Sequence, residues 1–165
     1  MDIIKLLLKE FESEFNTTQK FLALVPVEKF DWAPHKKSMK MKSLASHIAE
    51  LPSWVSLAIT ADGLDFATAP YEEKKVESNE DLFKILEDSY NSGKSELEKA
   101  DPKTLNDQWI LRNGDQILGD LTKYEMIRIA FSQTTHHRAQ LGVYLRLLDI
   151  PIPGSYGPSA DDPSF

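Results

Sequence analysis

His47 lies in the helix-like stretch Leu44-Ala45-Ser46-His47-Ile48-Ala49-Glu50-Leu51, and two more histidines, His136 and His137, follow about ninety residues later in Gln133-Thr134-Thr135-His136-His137-Arg138-Ala139-Gln140-Leu141. The chain has four histidines, so three of them share these two segments. Imidazole is the commonest side-chain ligand for transition metals and switches between charged and neutral near pH 7. The first expectation is therefore a metal site. Cysteine is absent, which excludes disulfides, thiolate zinc sites and cysteine nucleophiles and leaves nitrogen and oxygen donors to hold any metal.

The later segment can be placed on a helix at 100° per residue. With His137 at 0°, Met126, Ala130, Gln133, Leu141, Tyr144 and Leu148 fall within roughly 40° of it, while Arg128, Thr135, Ala139 and Arg146 lie opposite. His137 thus faces the core. Gln133 is one turn earlier on the same face, the i, i+4 spacing of helical His-x-x-x-His metal sites. His136, near −100°, sits at the stripe's edge as a reserve ligand or a residue behind the ligands. From spacing alone two readings stand, a metal site or hydrogen-bonded core histidines.

These residues must be positioned by helices. Ile4, Leu7, Leu8, Phe11, Phe15, Thr18 and Leu22 recur at helical steps, predicting a first helix from Asp2 to about Leu24. Glu28 to Lys40 has no period and reads as a loop carrying Trp32 and His35. A second helix runs from about Met41 to Ala61, where Pro52 removes a backbone donor and should bend it one turn after His47. Gly63 to Ser78 reads as a loop. Asn79-Glu80-Asp81 then opens a third helix marked by Leu82, Ile85, Leu86, Tyr90 and Leu97, weakened in its middle by Gly93. Trp109-Ile110-Leu111 and Gln116-Ile117-Leu118 flank Asn113-Gly114, predicting a short hairpin or ordered loop. A fourth helix spans about Lys123 to Asp149, and the Pro-rich tail from Ile150 lies extended over the surface. The expected fold class is an all-α four-helix bundle, a single domain over 1–165, with sites built from facing helices.

The chain of 165 residues is long enough to bury one core without covalent cross-links. Its net charge of −7 disfavours polyanions, so nucleic acid is not an expected partner. No run approaches the roughly 18 apolar residues of a membrane span, and the N-terminus has no signal-peptide pattern. The expected location is the cytoplasm, with no membrane partner.

Phe30-Asp31-Trp32-Ala33-Pro34-His35-Lys36-Lys37-Ser38, then Leu44 to Leu51, then His136-His137-Arg138-Ala139-Gln140-Leu141 and the closing Tyr156-Gly157-Pro158-Ser159-Ala160-Asp161 resemble in order and separation the DinB-like family. The resemblance implies an up-down-down-up four-helix bundle, often homodimeric, that binds nickel or zinc through one histidine on helix two and a His-x-x-x-His pair on a later helix. Carried over, the ligands are His47 and His137, with Gln133 where the family has its third histidine. A carbonyl oxygen there is a weaker donor than imidazole, so the metal is expected to be weakly held, exchanged or lost.

The implied activity is a metal-dependent transferase acting on a small-molecule substrate with a low-molecular-weight thiol cofactor. The alternatives are a metal-dependent hydrolase, or a non-catalytic small-molecule-binding scaffold with a decayed site. Glu50, one turn from His47, is the candidate proton acceptor or else a solvated surface acid. Trp54 and Tyr144 are candidate pocket residues or else core. Arg138 either binds an anionic substrate or ties its helix to an acidic residue or the tail. His35 is expected to be exposed, and Tyr156 either covers the pocket or staples the tail.

Overall fold

A computed structural model describes residues 2–69 and 74–163. Among the described residues the chain forms α1 (Ile3–Leu22), α2 (Met41–Glu50), α3 (Ser53–Thr60), β1 (Gly63–Asp65), α4 (Asn79–Lys99), β2 (Gln108–Asn113), β3 (Gln116–Thr122) and α5 (Lys123–Leu147), with short 3-10 helices at Val27–Lys29 and Pro102–Asn106. The expected all-α four-helix bundle is corrected on two counts. Pro52 divides the second helix into α2 and α3, and a three-stranded mixed sheet stands beside the helices.

The helix starts follow local chemistry. Ser78 caps α4 and Thr122 caps α5, each in a reciprocal capping box with the acid three residues on, Asp81 and Glu125. Such boxes satisfy backbone donors that the first turn leaves unpaired. The cap of α4 is thus Ser78, one residue before the expected Asn79.

The helices enclose two apolar clusters end to end. One gathers Phe21 and Leu22 of α1, Leu44 and Ile48 of α2, Leu86 of α4 and Leu141 of α5. The other gathers Phe11 of α1, Val55 and Ala58 of α3, Leu97 of α4, Trp109 of β2 and Phe131 of α5. The long helices serve both clusters, whereas α2 serves the first and α3 the second. The Leu51–Pro52 turn lets one chain segment aim its apolar face differently at each end. Gly93 of α4 is required there: a Cβ would lie 2.8 Å from the Pro52 carbonyl oxygen and 2.9 Å from the Phe11 ring.

β2 and β3 form an antiparallel hairpin turning at Gly114 and Asp115, and β1 adds to β2 in parallel, Gly63 opposite Ile110. Parallel neighbours need a long crossover, supplied here by α4. A side chain at Gly63 would collide with the Ile110 carbonyl oxygen. Gly63→Ala is therefore expected to lose about 1–3 kcal/mol of stability, the usual cost of overpacking, read by urea denaturation. An unchanged midpoint would contradict the β1–β2 pairing.

Candidate functional site

Between the two apolar clusters the helices carry polar side chains inward. Glu14 and Thr18 of α1, Ser46 and Glu50 of α2, Ser89 of α4, and Thr134 and Arg138 of α5 are all buried. Buried polar groups cost free energy unless they are partnered, so such a layer has a structural or chemical purpose. On one side of it lie the histidines. On another lies an ion-pair network that anchors the tail.

The rings of His47 and His137 meet edge to face with centroids 4.6 Å apart. His47 lies on α2 just before the Pro52 turn, and His137 in the middle of α5. Trp54 of α3 packs edge-on against His47 at 6.0 Å. Burial first, and the neighbouring His137 second, hold the His47 pKa below its ordinary 6.5, favouring the neutral imidazole that serves as a donor.

His137 is oriented by Gln140, whose Oε1 is 2.9 Å from His137 Nδ1. The Gln140 amide nitrogen lies 3.2 Å from His136 Nε2. An amide oxygen only accepts and an amide nitrogen only donates, which sets both tautomers. In this arrangement His137 Nδ1 donates to Gln140 Oε1, while His136 Nε2 accepts from the Gln140 amide. Fixing a ring through its second nitrogen is the usual support for a metal-ligating histidine.

Two of the three expected donors, His47 and His137, meet. Two rings with centroids 4.6 Å apart are close enough to share one ion at nitrogen distances of about 2.0–2.1 Å. Gln133 is half-buried one turn before His137 on α5. Among the described residues no group of three His, Cys, Asp or Glu side chains is arranged to hold a metal.

The other expected residues are distributed as follows. Glu50 is buried at the end of α2, not solvated. Tyr144 is in the first apolar cluster, its hydroxyl donating to the Met39 carbonyl at 3.1 Å and its ring meeting Trp32 edge-on. His35 is exposed in its loop. Arg138 is 2% exposed and faces Glu14, with Nη1 2.7 Å from Oε2. It also donates to the Thr18 hydroxyl at 3.0 Å and the Tyr156 hydroxyl at 2.8 Å. Tyr156 in turn donates to Glu14 Oε1 at 2.7 Å. Of the two readings of Arg138, these contacts are those of the tie to an acid and to the tail. Gln140 went unnoticed in the sequence, although its spacing of three and four from His137 and His136 was the available signal.

Fold and site together define a largely helical protein with a small mixed sheet, in which imidazoles from two helices meet at a polar layer. The chain belongs to the DinB family, whose family model matches residues 1–164. It is similar in structure to a DinB-like protein of Bacillus subtilis, at 18% identity and TM-score 0.70, covering 90% of this chain and 96% of that one. A DinB-family member from Exiguobacterium sibiricum matches at 23% identity and TM-score 0.66, covering 93% and 97%. A mycothiol-dependent maleylpyruvate isomerase shares the fold at 13% identity and TM-score 0.61, over 84% of this chain and 60% of that one. No curated protein matches the chain. No described helix is long and apolar enough to cross a membrane.

Proposed function

We propose that this DinB-family protein is a metal-dependent enzyme that uses His47, His137 and Gln133 to hold a divalent nickel or zinc ion and transfers a small-molecule thiol to or from an electrophile. The observation that carries the proposal is the edge-to-face meeting of His47 and His137 with the second ring's tautomer set by Gln140. The shared fold of a mycothiol-dependent isomerase supports the thiol. A divalent ion held by these residues would favour the thiolate form of a small thiol and so would supply a nucleophile at neutral pH.

The chain's own groups do the rest. Gln140 holds His137 through Nδ1, and burial favours the neutral form of His47. Gln133 offers a carbonyl oxygen from the same face of α5. Glu50, buried one turn after His47, accepts the thiol proton in this scheme. Trp54 forms the wall beside His47 and excludes water from that side.

Untagged protein titrated with nickel or zinc against a competing chelator is expected to bind one ion per chain, and His47→Ala to lose at least 10-fold in affinity, no less than outer-partner losses commonly cause. A wild type without affinity for either ion, or an alanine variant that binds equally well, would overturn the proposal.

A further inference from the structure

We infer that the apolar cleft between the sheet and the two helices α3 and α5 binds an alkyl or aryl group, and that this group is the apolar part of the substrate. The second half of that statement rests on the function proposed above. The first half stands on the cleft itself.

Trp54 of α3, Leu64 of β1, Leu111 of β2, Leu121 of β3, and Met126 and Ile129 of α5 form the walls, and Phe66 stands at the rim, 43% exposed. Of these, only Met126 is buried, and the others keep part of their apolar surface exposed. The space is about 60 Å³, several times the roughly 10–15 Å³ that admits one water. A water held there needs about two to four polar partners, and the lining is apolar throughout. The cleft therefore has room for several water-sized groups but nothing to hold water with, which favours an occupant made of carbon and hydrogen. Its size suits a short chain or a single ring; a peptide helix is too large.

Its position links it to the imidazoles. Trp54 contributes to the cleft wall and also packs against the His47 ring. A molecule whose apolar part lies in the cleft thus touches the same indole ring that packs against His47. The sheet, of which the sequence predicts only the hairpin and not β1, provides three of the walls. In this reading β1, β2 and β3 select for an apolar substituent on the molecule that reaches the histidines.

The test uses metal-free full-length protein and the n-alcohols from 1-butanol to 1-octanol, followed by methyl NMR. Methyl shifts are expected to concentrate on Leu64, Leu111, Leu121, Met126 and Ile129. The Kd is expected to fall about fourfold with each added methylene until the cleft is full, the factor that burying one CH₂ gives. Ile129→Gln, which puts an amide into the cleft, is expected to weaken 1-hexanol at least tenfold. Leu57 of α3 also lines the cleft, and Leu57→Trp, which fills space there, is expected to weaken 1-hexanol similarly without adding polarity, so that misfolding of one variant leaves the other to decide. Shifts scattered over the surface, a Kd independent of chain length, or variants that bind like wild type would overturn the inference. Because no ion is present, alcohol binding in a protein without metal affinity would uphold the cleft and sink the metalloenzyme reading. Metal binding without alcohol binding would do the reverse.

Discussion

Arg138→Met is expected to lower stability by about 3–5 kcal/mol, the usual cost of removing one partner from a buried ion pair. For a chain of this length the melting temperature would fall on the order of 10 °C. The substitution keeps the length of the stem and removes the guanidinium, which leaves the Glu14 carboxylate buried against α5 without its counter-charge. It also removes the donor to the Tyr156 hydroxyl, so the tail loses a tether at the same time. Adding Glu14→Leu to Arg138→Met is expected to recover much of the loss, since replacing both partners with apolar groups is often neutral. Thermal denaturation of the two variants checks this. A single-variant loss below about 1 kcal/mol, typical of exposed pairs, would mean that water reaches the pair.

Gln133→His is expected to raise nickel and zinc affinity by more than the roughly 10- to 100-fold that partners of metal ligands command. Residue 133 is half-buried one turn before His137 on α5, so helical spacing puts an imidazole there on the same side of the helix as His137. Nitrogen is the better donor for these borderline ions. Competition titration against a chelator gives the ratio directly. An affinity equal to wild type would show that residue 133 faces away from the pair, and the set of ligands would then have to be sought elsewhere.

The long helices were legible because apolar residues at steps of three and four define one face, as in α1, α4 and α5. The hairpin was legible from its glycine-containing turn between apolar triplets. β1 was not: Gly63, Leu64 and Asp65 are too few to show alternation, and their partner lies across α4. Pro52 marked a bend, but whether proline bends or divides a helix depends on what each half packs against. Here α2 and α3 serve different clusters. At the site, helical spacing put His137 and Gln133 on one inward face, but the meeting of His47 with His137 came only from resemblance, since no local pattern reports contact between distant helices. The pairing of Arg138 with Glu14 was legible only as one of two alternatives, because the choice depends on which helix packs alongside.

The parallel pairing of β1 with β2 also bears on the order in which the molecule assembles. The hairpin closes over a two-residue turn, whereas β1 reaches β2 only after α4 has folded back between them. Loop-closure entropy makes such distant pairings late events, and a three-residue strand has few backbone bonds to keep it in place. β1 is thus the last wall of the apolar cleft to form and the first to detach in a local opening. Amide exchange at Phe66, whose N–H is bonded to the Arg112 carbonyl, would run ahead of global unfolding and time the breathing of the cleft.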